Sequence, residues 1–152
     1  MWNDIEKIVG VLAGGRGKRT KTTLGSRKVS SARDLELAVQ EGLPSESVEM
    51  TIDRIFPHDP TIRYQIVPRA TFARRLKKGE RLSPTESEKL QRIARVYAMA
   101  IDVWGNEEDA REFMAKCHPM LDDRTPFEAS LSEIGAREVE SILGRLLFGS
   151  VA

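Results

Sequence analysis

Cations that could bind a polyanion are concentrated in one short stretch of the chain, from Val67 to Gly79. Pro68 is typical of a helix start, where a missing N–H costs nothing, and Gly79 is typical of the residue just past a helix end. Phe72 and Leu76 are four residues apart and share one face of the predicted helix. The other faces carry cations and one hydroxyl: Arg69, Thr71, Arg74, Arg75 and Lys78. This pattern suits a DNA major groove, and the alternative is a solvated basic surface helix.

The other residues with chemical potential do not form a catalytic or metal site. The segment from Gly14 to Arg19 lacks the first glycine and the final Ser or Thr of a phosphate-binding P-loop, so a flexible basic arm is the better interpretation. Cys117 and His118 are sequence neighbours, which does not by itself place a base beside a thiol. One cysteine and two histidines in the whole chain do not indicate a zinc site. We therefore expect no catalytic residue, no metal and no cofactor.

Length and composition restrict the class of protein. The chain has 152 residues, of which 40% are hydrophobic and 31% charged, as in a helix-rich globular protein of one or two small domains. The single cysteine fits a reducing compartment. No apolar run approaches the roughly 20 residues that span a bilayer. The sequence predicts a cytoplasmic protein without a membrane partner.

The net charge of +1 conceals a difference between the two halves of the chain. Residues 16–33 contain seven cations and no acid, and residues 62–81 contain seven cations and one acid. Residues 104–141 contain ten acids and four cations. This distribution predicts a polyanion as the partner of the first half and a protein as the partner of the second.

Helical segments are predicted on both sides of the basic helix. Apolar residues recur at helical spacing in residues 31–42 and 44–56. A short helix at residues 61–65 precedes the basic helix, and the pair forms a helix-turn-helix whose turn is residues 66–68.

The second half of the chain is also predicted to be helical. Ser83 to Glu86 form a capping box that opens a helix of about 20 residues ending at Gly105. Trp104, at the end of this helix, keeps phase with its apolar residues and is expected in the core. Further helices are expected after Asn106, after Thr125 and before Gly149. Because no convincing strand is found, the predicted fold class is all-α.

These features divide the chain into three parts. Residues 1–30 are expected to form a flexible basic arm with a short ordered piece at residues 5–12. Residues 31–82 are predicted to form a helix-turn-helix DNA-binding domain. Residues 83–152 are predicted to form a small helical C-terminal domain that begins with the long helix.

Several motifs resemble those of the Xre/MbcA/ParS family of antitoxins, and the likeness covers about residues 32–152. Ala70 departs from it, since a second arginine is common there, and the pattern describes the first 30 residues poorly. The segments that carry the likeness are Val67 to Arg75, Gly79 to Ser87, Arg92 to Val96, Val103 to Glu107, Arg124 to Phe127, Gly135 to Val139 and Leu143 to Gly149.

The resemblance implies an Xre-like helix-turn-helix domain joined by the long helix to a toxin-binding domain, in a protein that is not an enzyme. Family members neutralise toxins of the RES class, which are similar to ADP-ribosyltransferases and deplete NAD, and they repress their own operon. The implied partners are a RES-domain toxin, operator DNA with an inverted repeat, and a second copy of the chain within a larger toxin–antitoxin assembly.

Two sets of contact residues are expected. DNA is expected to contact Arg63, Arg69, Thr71, Arg74, Arg75, Lys77 and Lys78. The toxin is expected to contact Met120, Leu121, Arg145, Phe148, Gly149, Ser150, Val151 and Ala152. Phe127 and Leu131 suit either the toxin surface or the core. The alternative function is a stand-alone repressor whose C-terminal domain only dimerises. A small helical enzyme, the third class, lacks a catalytic constellation.

Overall fold

The computed structural model describes residues 4–15 and 23–149, and within these ranges the chain is predominantly helical, as predicted. Two short strands precede most of the helices. The elements in chain order are α1 Ile5–Leu12, β1 Thr23–Leu24, β2 Arg27–Lys28, α2 Ala32–Glu41, α3 Glu46–Ile55, a 3₁₀ helix Pro60–Gln65, α4 Arg69–Lys78, α5 Pro84–Trp104, α6 Glu107–Ala115, a 3₁₀ helix Pro119–Leu121, α7 Pro126–Ala129 and α8 Glu133–Phe148.

The ends of the longest helix, α5, follow directly from local chemistry. The Ser83 hydroxyl accepts a hydrogen bond from the Glu86 N–H, and the Glu86 carboxylate accepts one from the Ser83 N–H at 2.9 Å. This reciprocal capping box satisfies two of the otherwise unpaired N–H groups of the first turn. Gly105 ends the helix with a φ of 75°, a left-handed conformation that glycine adopts without steric cost.

Helix α5 is the centre of the hydrophobic core. Leu90, Ile93 and Tyr97 are fully buried. Helices α1, α2, α3, α6 and α8 all contact α5. Near one end of the core, the ring of Phe56 after α3 meets the ring of Phe127 in α7 edge to face, with centroids 5.0 Å apart. The two predicted helical domains therefore share one continuous core, built around the helix that joins them.

The short ordered piece expected at residues 5–12 is helix α1, and it is integrated into this core rather than lying in a free arm. Ile8, Val9 and Leu12 in α1 are fully buried, and α1 packs on α3 and α5. The Lys7 ammonium also pairs with the Asp102 carboxylate of α5. The apolar run is short but amphipathic, and α5 supplies the surface that it covers. Residues 16–22, the most basic part of the expected arm, lie outside the described residues.

A small β-hairpin is the second difference from the expectation. Strands β1 and β2 pair antiparallel, with Thr23 opposite Lys28 and Leu24 opposite Arg27. The turn includes Gly25 with a φ of 63°. The prediction that the chain contains no strand was therefore wrong here, because two-residue strands are too short to show alternating hydrophobicity.

Within residues 4–15 and 23–149, no helix combines the length and the apolar character needed to cross a membrane.

Candidate nucleic-acid and protein interfaces

The predicted helix-turn-helix is present as a 3₁₀ helix followed by α4. Asp59 caps the 3₁₀ helix by accepting a hydrogen bond from the Thr61 N–H at 3.2 Å. Ile66 and Val67 in the turn are buried, which fixes the angle at which the chain enters α4. Pro68 occupies the N-cap position, and Gly79 ends α4 in the left-handed conformation with a φ of 67°. The expected bounds of the basic helix are thus confirmed to within one residue.

One face of α4 holds the helix on the protein and the other faces solvent. Phe72 is the fully buried residue of α4, at 3% exposure, and Leu76 is half-buried beside it. At 100° per residue, the exposed positions of α4 form one continuous arc, and Thr71 and Arg75 lie at its edge. We call its charged members the α4 cationic face: Arg69, Arg74, Lys77 and Lys78.

Two of these cations have neighbours that orient them without neutralising them. The Arg69 guanidinium lies over the Tyr64 ring, 4.5 Å from its centroid, in a cation–π contact. The Arg74 Nε lies 3.9 Å from the Glu80 carboxylate, which is beyond hydrogen-bond distance. Both side chains remain exposed. The α4 cationic face therefore keeps its positive charge available to a ligand.

Arg63 and Arg75 were expected to contact DNA, and the structure places both in internal ion pairs. Arg63 is 16% exposed and donates from Nη1 to Glu49 at 3.0 Å and from Nη2 to Asp53 at 3.2 Å. Arg75 is 15% exposed and pairs with Glu86. These arginines hold the helix-turn-helix on α3 and α5 rather than extending to a ligand. Thr71 is half-buried on the same helix.

Glu86 connects α4 to the start of α5. Burial alone would raise the pKa of its carboxyl group, but hydrogen bonds from the Ser83 N–H and the Arg75 guanidinium outweigh burial and hold the pKa below its usual value. The capping residue of α5 and the inner face of α4 therefore share one ionised carboxylate.

The expected toxin-contacting residues separate into exposed and buried positions. Arg145 and Phe148 near the end of α8 are exposed, as is Met120. Leu121 is fully buried, so the expectation that it contacts a partner was wrong. It closes a 3₁₀ turn whose last side chain points into the core. Gly149 is exposed with a φ of 75°, and Ser150, Val151 and Ala152 lie outside the described residues.

Helix α8 changes character along its length. Val139, Ile142 and Leu143 are buried, whereas Leu146 and Phe148 are 54% and 65% exposed. The apolar periodicity therefore continues for one turn beyond the core that it covers. We call the exposed group Arg145, Leu146 and Phe148 the α8 end.

Phe127 and Leu131, which suited either role, are placed on the core side. Phe127 is buried against Phe56, and Leu131 is half-buried against the core. Ile134 is 75% exposed, and sequence reasoning did not select it. Its position in the sequence could have identified it as exposed, because Ile134 does not lie on the face of α8 that Val139 and Leu143 define.

An open groove of about 480 Å³ lies between α6 and the end of α5. The Trp104 and Phe113 rings form its apolar wall, with centroids 6.1 Å apart. Trp104 was expected in the core but is 41% exposed, because it is the last residue of α5 and extends past the helices that cover the rest. The other residues that line the groove are Asp109, Glu112, Lys116, Cys117, His118 and Pro119.

A partly buried polar network joins the two halves of the molecule at Glu107, the first residue of α6. Its carboxylate accepts hydrogen bonds from Arg54 Nε at 2.5 Å and from the Tyr97 hydroxyl at 2.9 Å. Arg54 also donates to the Gly15 carbonyl at 2.9 Å, and Arg111 Nε donates to the Arg54 carbonyl at 2.7 Å. The network therefore ties α3 and the chain after α1 to α5 and α6.

The charge state of this network follows from its geometry. Burial would raise the pKa of the Glu107 carboxyl, but the Arg54 guanidinium and the Tyr97 hydroxyl lower it overall. Burial and then the neighbouring Glu107 charge raise the pKa of the Tyr97 hydroxyl, which stays neutral and donates. A charged carboxylate that accepts hydrogen bonds from Arg54 and Tyr97 thus fixes the position of α6 against α3.

No cluster of three or more His, Cys, Asp and Glu side chains that could hold a metal ion occurs in the described ranges. The features that stand out are two surfaces: an exposed cationic helix in a helix-turn-helix, and a helical unit with an exposed apolar end. Together they define a two-part binding protein.

Comparison with protein families agrees with this division. Residues 34–95 match the antitoxin Xre-like helix-turn-helix domain, and residues 99–149 match the antitoxin Xre/MbcA/ParS C-terminal toxin-binding domain. Together the two matches cover most of the chain, which therefore has the domain composition of an Xre/MbcA/ParS antitoxin. Both descriptions are of binding domains rather than of enzymes. Helix α1 and the β-hairpin lie outside both matched ranges.

Two curated relatives are similar to this chain. A protein named Antitoxin Xre from Pseudomonas putida is 30% identical over 90 residues, which is 59% of this chain and 57% of the relative. A protein of the same name from Yersinia enterocolitica is 32% identical over 94 residues, which is 61% of this chain and 64% of the relative. The chain thus spans about three fifths of the length of these relatives.

Proposed function

We propose that this protein is the antitoxin of a toxin–antitoxin pair, that it blocks a RES-class, NAD-depleting toxin, and that it represses its own operon. The observation that carries the proposal is the presence of two separate exposed surfaces, one in each matched family domain. The α4 cationic face suits a polyanion, and the α8 end suits a protein.

The DNA-binding part of the proposal assigns base contacts to arginines and backbone contacts to lysines. Arg69 and Arg74 lie on the exposed arc of α4 and can each donate two hydrogen bonds to a guanine edge in the major groove. Lys77 and Lys78, at the end of the helix, are placed for phosphates. Two copies of the chain would place two such helices about 34 Å apart on an inverted repeat.

The toxin-binding part assigns the central contact to the α8 end. Phe148 and Leu146 supply apolar area without any loss of core packing, because both are already exposed. Aromatic residues with a neighbouring arginine are the usual composition of energetically dominant interface positions. The proposed contact also includes residues 149–152, which follow this surface in the sequence.

The DNA assignment is tested with the double variant Arg69→Ala/Arg74→Ala. Gel shift is measured on a fragment taken from directly upstream of the coding sequence, at physiological salt. The variant should lose the specific shift and still bind the toxin. Lys116→Ala, an exposed lysine in the other domain, is the matched control and should shift like the wild type. An unchanged shift for the double variant would exclude α4 as the helix that recognises the DNA.

The toxin assignment is tested by co-expression with the product of the neighbouring gene, scored for growth rescue and co-purification. Phe148→Ser and a chain ending at Leu146 should both fail to rescue at equal expression. Ile134→Ser changes an equally exposed apolar residue of α8 and should rescue. Rescue by the truncated chain would show that neutralisation uses another surface. NAD measured in the same cells tests the RES class of the toxin.

The exposed α8 end also suits the alternative, a stand-alone repressor whose C-terminal unit only dimerises. Under that alternative, Phe148→Ser converts a dimer into a monomer and weakens operator binding. Light scattering of the purified protein, without any partner, separates the two functions. An unchanged mass for Phe148→Ser together with lost toxin binding supports the antitoxin.

A further inference from the structure

The β-hairpin outside both matched family domains lies beside the end of α4. A Cβ built on Gly25 would come within 3.2 Å of the Pro44 ring. Pro44 forms an isolated antiparallel bridge with Arg81, which follows α4 after the Gly79-Glu80 turn. The hairpin turn therefore lies against the strand-like segment through which the chain leaves the recognition helix.

The hairpin is held firmly on the protein. Leu24 in β1 and Val29 after β2 are buried. Arg27 donates from Nε to the Glu41 carboxylate at 3.0 Å, and Arg81 Nη1 lies 3.7 Å from the same carboxylate. One acid of α2 thus binds the hairpin and the segment after α4 together. A contact made by the hairpin would have a fixed position relative to α4.

The pleat determines which side chains the hairpin offers to solvent. Residues paired across an antiparallel ladder share one face, and neighbours along a strand alternate. Leu24 and Arg27 face the protein, so Thr23 and Lys28 face outward, and both are exposed, as is Ser26 in the turn. In the part of the chain that the structure describes, Lys28 forms no ion pair, whereas its neighbours Arg27 and Arg33 do.

We propose that the β1–β2 hairpin is a wing that contacts the DNA phosphate backbone beside the groove occupied by α4, through Thr23, Ser26 and Lys28. Hydroxyls and an ammonium group in a fixed frame are the usual donors to phosphate oxygens, and they position a protein on DNA without reading its sequence. This inference rests on the proposed DNA binding by α4 and extends the contact surface beyond the matched domain.

The test is fluorescence anisotropy of the full chain with a 30-bp duplex taken from its footprint upstream of the coding sequence, at several salt concentrations. Lys28→Ala should weaken binding and lower the log–log salt slope by about 0.9, so that the affinity ratio between 50 and 200 mM salt falls by about 3.5-fold. Lys28→Arg should restore the slope. Lys116→Ala is the matched control and should leave the slope unchanged.

Hydroxyl-radical footprinting gives an independent readout on the same duplex. The variant Thr23→Ala/Lys28→Ala should lose protection at the flanks of each half-site and keep it within the half-site, where α4 binds. An unchanged salt slope together with unchanged protection at the flanks would overturn the proposal that the hairpin contacts DNA. If the wild type binds no duplex, the proposed DNA function itself fails. If Arg69→Ala/Arg74→Ala abolishes binding while Lys28→Ala does not weaken it, the proposed hairpin contact fails and the proposed DNA binding by α4 stands.

Discussion

Helices α4 and α8 both carry a proposed interface, but they are attached to the protein in different ways. Helix α4 has ten residues and one that is fully buried, Phe72, and the Arg75–Glu86 ion pair links it to α5. Helix α8 has sixteen residues and a buried stripe of five. A helix that presents charge to solvent has little apolar area left for its own attachment, so one ring and a few ion pairs must hold it.

This difference implies that the two interfaces respond to different perturbations. The position of α4 depends on one aromatic side chain and on the charge of Glu86. The position of α8 depends on close packing, including a backbone contact at Gly135. Changes of charge and pH should therefore act on α4 rather than on α8, whereas a change of buried volume should act on both helices.

The largest expected effect is that of Phe72→Ala. Removal of the buried ring from α4 should lower the free energy of unfolding by about 3–5 kcal/mol, because the transfer and cavity terms add. Urea denaturation followed by circular dichroism measures the loss. Lys77→Ala, on the exposed arc of the same helix, should stay within about 0.5 kcal/mol of the wild type. A loss below about 1 kcal/mol for Phe72→Ala would show that the ion pairs alone hold α4.

The second largest effect is expected from added side-chain volume in α8. A Cβ at Gly135 would lie 2.0 Å from the Ala129 carbonyl oxygen, which belongs to the backbone of α7 and cannot rotate away. Gly135→Ala should therefore cost about 2–3 kcal/mol by displacing α7 from α8.

Gly144→Ala on the same helix is the matched control. Its Cβ would meet only the Met99 Cε at 3.9 Å, an ordinary contact, and alanine favours the helix by up to about 1 kcal/mol. Thermal melting of both variants checks the pair. Equal melting temperatures would contradict the close approach of α7 and α8.

The smallest effect is a pH dependence that should separate the two helices. The pKa of Glu86 is lower in the folded protein than in the unfolded chain, so its contribution to stability is present above the unfolded value of 4.5 and is lost as pH falls through the lower, folded value. Glu86→Gln keeps an acceptor for the Ser83 N–H and loses the charge that Arg75 pairs with. At pH 7 the variant should be less stable by about 1 kcal/mol.

The difference in stability between the wild type and Glu86→Gln should be constant from pH 7 to about pH 5 and should decrease below pH 5. Urea midpoints at four pH values measure it. Glu133→Gln removes an exposed ion pair with Arg137 on α8 and should cost less than about 0.5 kcal/mol at pH 7. A difference for Glu86→Gln that stays constant down to pH 3 would contradict the role of its ionised form.

Capping residues and apolar spacing predicted the helices well. The features that the sequence did not predict depend on contacts between distant segments. The capping box at Ser83 and the helix ends at Gly79 and Gly105 depend on neighbouring residues and are present as predicted. The pairings of Arg63 and Arg75 involve partners 10 to 14 residues away on other helices, so a helical wheel counted both arginines as free.

Burial at the edges of the fold was the other feature that periodicity could not predict. Leu121 and Phe148 are both apolar residues at the ends of elements, and one is buried while the other is exposed. Their difference depends on which helix lies next to each. Four cations of α4 (Arg69, Arg74, Lys77 and Lys78) and two residues near the end of α8 (Arg145 and Phe148) were nevertheless selected from the sequence and are exposed.

The burial of α1 has a consequence for how the chain folds as it is synthesised. This helix leaves the ribosome before α5, the longest of the helices on which it packs, which is complete only at Trp104. At 5–20 residues per second, the apolar face of α1 waits roughly 5–20 s for that partner. During each round of synthesis, the nascent chain therefore presents Ile8, Val9 and Leu12 to chaperones and proteases before it can present either interface.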